Sequence, residues 1–286
     1  MKHVYHYRAT PIANAPSELA KAINKFSSKY RCHVIGFQPT SSFPGSCAIL
    51  HAHNILPTKK IDAHKTLIQY HSEPWQVDLK SPVDSRLVIA QYHATLEEYS
   101  SCKIVRNVID FTTPDYSLNR VHKTVRIGFS PSRKKKMGQW HNKGYSETIA
   151  VLSSIKRKYQ GQVEIDIISG VSLDECIRRK SKCNILIDEC VTASYHRSGL
   201  EGLALGKMTV CSISPQVEKV LLDSTGAPTS PFVNVWMNDL ELELCKIIDA
   251  GIDFIISSGE KNKEWMYQYW HPKSIVEEFI KIYDEL

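Results

Sequence analysis

The sequence predicts an α/β protein built from two successive doubly wound units. Short apolar runs typical of buried strands alternate with amphipathic helices in both halves of the chain. The alternation breaks between residues 107 and 124, which leaves two halves that are each long enough to bury a core. No apolar run approaches the roughly 18–20 residues of a membrane span. We therefore expect two parallel sheets with flanking helices.

In the first half, apolar runs bounded by polar or Pro/Ser-rich loops mark the strands. One helix, predicted over residues 16–28, places Leu19, Ala22, Ile23 and Phe26 on one face. A helix between strands is typical of βαβ units, so the sheet should be parallel. The predicted strands are residues 3–7, 32–37, 47–51, 65–70, 87–90 and 103–105.

The second half repeats this alternation. The helix ends carry clear signals, since Gly206 follows one predicted helix and Pro272 begins the last one. In that last helix, Ile275, Phe279 and Ile282 share one face. Ligands of such sheets lie beyond the carboxyl ends of the strands. The predicted strands are residues 124–129, 163–168, 184–187, 208–211 and 232–236, and the helices are residues 144–158, 173–180, 199–205, 239–250 and 272–286.

Composition narrows the functional classes. The net charge is +6, and residues 120–160 hold eleven Lys or Arg against the single acid Glu147. This excess suits a polyanion such as a nucleotide diphosphate, a nucleic acid or an acidic membrane surface, although a solvated basic face is the usual alternative. Eight cysteines without a Cys-x-x-Cys indicate reduced, buried thiols and a cytoplasmic protein.

The histidines do not predict a metal site. Twelve are present, but none has zinc-site spacing with cysteine or carboxylate support. His51 and His53 come nearest, and we expect them on alternate sides of a strand. An Asp-x-Asp motif, whose paired carboxylates commonly bind divalent metals, does not occur in the sequence. The sequence therefore predicts no metal and no cofactor.

Four segments in order resemble the retaining glycosyltransferases of the GT-B group, glycosyl transferase group 1 or family 4. Asn107-Val108-Ile109-Asp110 with Pro114 looks like the family's hinge. Arg126 to Arg133, running on to Lys143-Gly144, looks like the loop that holds the donor diphosphate. Ser198 to Lys207 is similar to the Gly-x-Glu-Ala-x-Ala-x-Gly-Lys/Arg helix, and Tyr269 to Tyr283 matches the final helix in character. The match is good over residues 106–286 and holds in outline before them.

The resemblance implies two Rossmann-like domains facing a cleft. Residues 1–118 would form the acceptor-side domain and residues 119–268 the nucleotide-sugar donor domain. Residues 269–286 would be a C-terminal helix returning to the first domain.

The donor-binding residues predicted in the second half are Ser130, Arg133, Lys143, Ser198, Gly199 and Glu201. Without a metal, cations and helix N-termini must hold the diphosphate, and Lys143 stands at a predicted helix start. Arg133 offers a bidentate contact to the diphosphate. Lys134, Lys135 or Lys136 could instead neutralise the diphosphate as a single positive charge. The resemblance implies that the Glu201 carboxylate accepts hydrogen bonds from the ribose hydroxyls. The alternative is that Glu201 is an acid near a helix N-terminus that only interacts favourably with the helix dipole.

The first half contributes His71, which the resemblance places opposite the donor sugar, so that His71, Lys143 and Glu201 form the predicted catalytic set. A lone histidine is, alternatively, a surface or core residue. Asn14 lies where the family has a Gly-rich loop, but the glycines are missing here. The candidates for residues that line the acceptor side of the site are Asn14, Glu73 and Trp75. For Trp75, packing within the first half is an equal alternative.

The predicted function is metal-independent transfer of a sugar from a nucleotide-diphosphate sugar, with retention, to a glycan or lipid-linked precursor. Peripheral membrane contact is compatible with this acceptor. One departure concerns catalysis: the family's acid eight positions before the glutamate is Ala193 here. The alternatives are a transferase acting on a modified nucleic-acid base, DNA included, and a degenerate transferase that only binds.

Overall fold

The computed structural model describes residues 1–10, 12–36, 46–119, 124–131 and 143–286. Their contacts divide the chain into two compact units. The first comprises Met1–Asp110 together with His271–Leu286, and the second is Phe111–Trp270.

The first unit contains a six-stranded parallel sheet with the strand order β2-β1-β3-β4-β5-β6. Every strand predicted in this half is present, and most extend one or two residues beyond the predicted ends, because backbone pairing continues past the apolar run. The strands are β1 Lys2–Arg8, β2 Tyr30–Gly36, β3 Cys47–His53, β4 Ala63–Tyr70, β5 Ser85–Ile89 and β6 Lys103–Val105, and helix α1 is Ala15–Phe26.

The final helix, α8 (Pro272–Glu285), belongs to this first unit, which confirms the predicted return of the chain. Its buried residues include the predicted apolar face of Ile275, Phe279 and Ile282. Polar contacts hold its end: the Asp284 carboxylate accepts a hydrogen bond from the Tyr30 hydroxyl at 2.8 Å. The apolar periodicity of the last fifteen residues thus encodes a helix that needs this sheet to bury its face.

The second unit contains a five-stranded parallel sheet with the order β11-β10-β9-β7-β8. Its strands are β7 Val125–Phe129, β8 Val163–Ile167, β9 Ile185–Ile187, β10 Met208–Cys211 and β11 Val233–Asn234. The helices among its described residues are α2 Tyr145–Lys158, α3 Leu173–Lys180, α4 Arg197–Ala204, α5 Pro215–Thr225, α6 Leu240–Asp249 and α7 Ile252–Tyr269.

Two helices of this unit were not predicted. Helix α5 carries ordinary signals, since Ser214 caps it by accepting from the Val217 N–H and Gly226 ends it in the left-handed conformation. Helix α7 includes Ser257-Ser258-Gly259, which have weak helix propensity, and packing compensates for that weakness. Strand β11 was predicted too long, because it pairs with β10 over two residues only at the edge of the sheet.

Gly259 illustrates how packing overrides propensity in α7. At an exposed position within a helix, replacing Gly by Ala would stabilise the helix by roughly 1 kcal/mol. A Cβ at Gly259 would instead lie 2.3 Å from the backbone oxygen of Gly206, an atom that cannot move without its turn. We expect Gly259→Ala to destabilise the protein by about 1–3 kcal/mol, the usual cost of overpacking. Ser257→Ala, exposed on the same helix, is the matched control, and urea unfolding measures both. An unchanged midpoint for Gly259→Ala would contradict this contact.

Within the described residues, no helix is both long and apolar enough to cross a membrane.

Candidate functional site

The strand order of the second unit places a crevice at a definite point. The chain passes from β7 to β8 on one side and then to β9 on the other, so β7 and β9 are neighbours whose connections leave in opposite directions. Ligands of open α/β sheets bind at such a switch point, beyond the carboxyl ends of the strands. Ser130 follows β7 there, and Asp188 follows β9.

Asp188 forms an ion pair with Lys143 at this position. The Lys143 ammonium lies 2.6 Å from Asp188 Oδ1, with side chains 6% and 0% exposed. Burial alone would raise the pKa of Asp188, but the charges of Lys143 and His196 outweigh it and hold that pKa well below its usual range. Lys143 and Gly144 both have positive φ, 54° and 62°, and a Cβ at Gly144 would meet Val191 at 2.7 Å. The turn before α2 therefore carries the lysine into the interior.

The second carboxylate oxygen of Asp188 holds the start of α4. Asp188 Oδ2 accepts a hydrogen bond from the His196 backbone N–H at 2.5 Å. A Cβ at Gly199 would lie 2.8 Å from the same oxygen, so only glycine allows this approach. The predicted Gly199 thus brings the first turn of α4 against the acid that pairs with Lys143.

Glu201 lies at the centre of a second charged group. Its Oε2 accepts from Lys180 at 2.7 Å and its Oε1 from the Arg197 Nε at 3.1 Å. Lys180 also donates to Ser198 Oγ at 2.8 Å. Burial would raise the pKa of Glu201, but the charges of Lys180 and Arg197 lower it. The carboxylate is therefore ionised, almost fully buried and already bound by two cations.

Lys180, Arg197 and Asp188 were not predicted from the sequence. Lys180 ends α3 after two arginines, and nothing in that run distinguishes the one cation that turns inward. Its burial, at 1% exposure, is a property of the packed helix rather than of the sequence pattern. Arg197 stands beside Ser198 in the motif and could have been included.

The remaining donor-side predictions have different outcomes. Ser130 is half-buried, and its Oγ lies 3.4 Å from Cys176 Sγ. Arg133 lies outside the described residues. Ala193 has a left-handed φ of 59°. The neighbouring Glu189 does not replace the missing acid, because it is fully buried and its Oε2 accepts from the backbone N–H groups of Val191 and Thr192.

In the first unit, His71 directly follows β4 and contacts another histidine. Its Nε2 lies 3.0 Å from His53 Nδ1, and its backbone N–H donates to Asn54 Oδ1 at 2.7 Å. Burial lowers the pKa of His71 to about 3, so its ring is neutral. His71 is thus a positioned, uncharged imidazole just beyond the carboxyl end of its strand.

The acceptor-side candidates occupy separate positions. The side chain of Asn14 donates to Glu18 at 3.1 Å, and Glu73 accepts from the Tyr92 hydroxyl. Trp75 is 77% exposed, which is incompatible with a packing role in the first unit and leaves the acceptor role as a prediction.

The loop before α1 has the backbone conformation typical of a glycine-rich loop, although it contains no glycine among its described residues. Ile12, Ala13 and Asn14 have φ values of 44°, 47° and 63°, in the left-handed region that glycine normally occupies. For a β-branched residue such as Ile12 this conformation is strained, and strain of this kind gathers at functional sites.

A buried histidine cluster corrects one expectation. His51 and His53 lie on the same side of β3, with stacked rings 4.5 Å apart, because residues two apart along a strand share a face. The prediction of alternate sides was wrong. One nitrogen from each of His6, His51 and His53 falls within 4.8 Å of the others, so these three could hold a metal ion.

No protein-family model and no curated protein matches the sequence. Solved structures do match over the full length. A sucrose-phosphate synthase from Thermosynechococcus elongatus aligns over 100% of this chain and 99% of its own, with a TM-score of 0.64 and 10% identity. A glycosyltransferase from Rickettsia africae ESF-5 aligns over 99% and 98%, with a TM-score of 0.63 and 11% identity.

The Anabaena protein HepE, in complex with UDP and glucose, aligns over 100% of both chains with a TM-score of 0.62 and 12% identity. At such identities the likeness establishes the fold. The chain has the GT-B fold, and the predicted fold class is confirmed.

Proposed function

We propose that this protein is a glycosyltransferase that takes a sugar from a UDP-sugar. The observation that carries the proposal is the charged cluster at the switch point of the second sheet. Lys143 and Lys180 are both buried there beside the start of α4. Such cations stabilise the negative charge of a leaving diphosphate. The bound UDP of the Anabaena neighbour supports uridine as the base.

The proposed roles follow from the contacts of the second unit. Lys143, held by Asp188, would stabilise the charge that develops on the leaving diphosphate. Each carboxylate oxygen of Glu201 accepts from one cation, Oε2 from Lys180 and Oε1 from Arg197, so each keeps a lone pair that could accept from a ribose hydroxyl. Ser130, Arg133 and Ser198 complete the proposed donor site, and His71 would orient the sugar.

Retention, independence from metal in the transfer step, and a glycan or lipid-linked acceptor remain parts of the proposal. Retention rests on the resemblance of the motifs. The eight free cysteines, most of them buried, support a reducing, cytoplasmic location.

Thermal shift of the purified protein tests the donor. A ligand that binds only the folded state stabilises it by about 2.7 kcal/mol at 100 times its dissociation constant. We expect UDP and a UDP-sugar to raise the Tm without magnesium, and GDP, ADP and CDP to raise it less. The control is Glu201→Ala, which should abolish the shift. If none of the four diphosphates shifts the Tm at millimolar concentration, the protein is not a UDP-sugar transferase. That result would favour the alternative of a degenerate transferase that only binds.

A second acceptor class is motivated by the basic residues of the second unit. Lys156, Arg157 and Lys158 end α2, within the stretch of eleven cations noted above. A transferase that modifies a nucleic-acid base would bind DNA with affinity that falls steeply as salt rises, whereas binding of a small glycan would not. Binding of labelled DNA across a salt series separates the two.

A further inference from the structure

Three histidines of the first unit form a compact group in its core. His6 on β1 and His51 on β3 are direct partners in the parallel register, and His53 lies two residues further along the same face. The ring centroids of His6 and His51 are 4.6 Å apart. All three residues are at most 1% exposed. Adjacent strands thus direct three imidazoles to one point inside the protein.

The electrostatic setting of these histidines suits metal ligands. Burial keeps the pKa of each ring low, so all three are neutral imidazoles. Their hydrogen-bond partners among the described side chains are other histidines, Tyr283 and Gln69, with no carboxylate. Unprotonated imidazoles are the commonest protein ligands of zinc and related ions, and burying them without such a function costs free energy.

The distances are close to those of a coordination shell. One nitrogen from each histidine lies within 4.8 Å of the other two. The Tyr283 hydroxyl oxygen lies 2.8 Å from His51 Nδ1 and 3.4 Å from His6 Nε2. Ligand atoms of a tetrahedral zinc ion bound at 2.0–2.1 Å are separated by about 3.3 Å. Rotations of the rings that shorten the widest separation from 4.8 Å by about 1.5 Å would complete such a shell.

We propose that His6, His51 and His53 bind a divalent transition-metal ion of the zinc class, with the Tyr283 oxygen as the fourth ligand. On binding, the Tyr283 phenol would release its proton to solvent, which leaves one net positive charge in the site instead of two. His71 fits the outer shell, because it lies 3.0 Å from His53 Nδ1 and leaves His53 Nε2 for the ion.

The proposed ion would link parts of the chain that are far apart in sequence. Tyr283 belongs to α8, whereas its histidine partners belong to β1 and β3. The ion would therefore tie the returning helix to the centre of the sheet, and its binding free energy would stabilise the first unit. This role does not depend on the proposed glycosyl transfer.

Metal content and cobalt binding test the site. The full chain, without a histidine tag, is stripped with a chelator and titrated with Zn²⁺ or Co²⁺. We expect one equivalent to bind tightly, a Tm several degrees higher with Zn²⁺, and the strong visible bands of tetrahedral Co²⁺. His53→Ala should lose all three effects. Should His53→Ala fail to fold, Tyr283→Phe provides a second variant, which should fold and bind Co²⁺ with an altered spectrum.

The matched control removes a different histidine pair. His3 and His33 are exposed and stacked, with His3 Nδ1 3.0 Å from His33 Nε2, and are the natural place for adventitious metal. The double variant His3→Ala/His33→Ala should bind as the wild type does. Absence of binding in the wild type, binding that survives in folded His53→Ala, or binding lost with His3 and His33 would each overturn the proposal.

Discussion

Lys143→Ala is expected to lower turnover with a UDP-sugar by tenfold or more. Loss of one preorganised group that stabilises a developing negative charge typically costs about 10²–10³ in kcat. The effect should fall on kcat rather than on KM, because the leaving diphosphate gains charge in the transition state. Initial rates of the purified variant across donor concentrations measure both constants.

The ion pair with Asp188 means that the same substitution also affects stability. Asp188 is fully buried, and removing one partner of a buried pair costs about 3–5 kcal/mol because the other charge is left unpaired. The control is therefore the double variant Lys143→Met/Asp188→Asn. It removes both charges and keeps an oxygen for the His196 N–H.

The double variant should recover most of the stability and none of the turnover. Recovery of turnover together with stability would show that Lys143 acts only through the fold. Full turnover in a folded Lys143→Ala protein would exclude the diphosphate role directly.

Glu201→Gln is expected to remove the ability of the protein to distinguish UDP from its 2′,3′-dideoxy analogue. Hydrogen bonds to a charged group contribute roughly 1.5–3 kcal/mol, which corresponds to about tenfold to a hundredfold in affinity. The wild type should therefore bind UDP more tightly than the analogue by that factor, and Glu201→Gln should bind the two nearly equally. Calorimetric titration of both proteins with both ligands gives the coupling free energy.

The variant Lys180→Met separates ribose binding by Glu201 from the contribution of Glu201 to the stability of the fold. It leaves Glu201 buried with Arg197 as its remaining cation, so the free energy of unfolding should fall by several kcal/mol. A folded fraction of this variant should still distinguish UDP from the dideoxy analogue, because the carboxylate is retained. If wild type and Glu201→Gln show the same ratio of affinities, Glu201 is a core ion-pair residue and the ribose role is wrong.

The fold was accessible from the sequence because its signals are local. Apolar runs, a Pro at a helix start and a Gly after a helix end each report on a few consecutive residues, and they placed every strand of both sheets. Helix α7 was missed for the same reason, because Gly259 weakens the local signal and only the approach of its backbone to Gly206 explains the residue.

Lys143, Gly199 and Glu201 were selected by the sequence because they stand in an ordered motif. The residues that hold them were not: Lys180 reaches Glu201 across 21 residues of sequence, and Asp188 reaches Lys143 across 45. The histidine cluster is a further case, since His6 and Tyr283 are 277 residues apart.

The sequence by itself determined the strands, most of the helices and the order of the motifs, because periodicity and chain punctuation act over short range. The tertiary structure alone decided which charges are buried and paired, and which histidines converge. Those outcomes depend on the register of neighbouring strands and the approach of helices, and no pattern of consecutive residues carries that information.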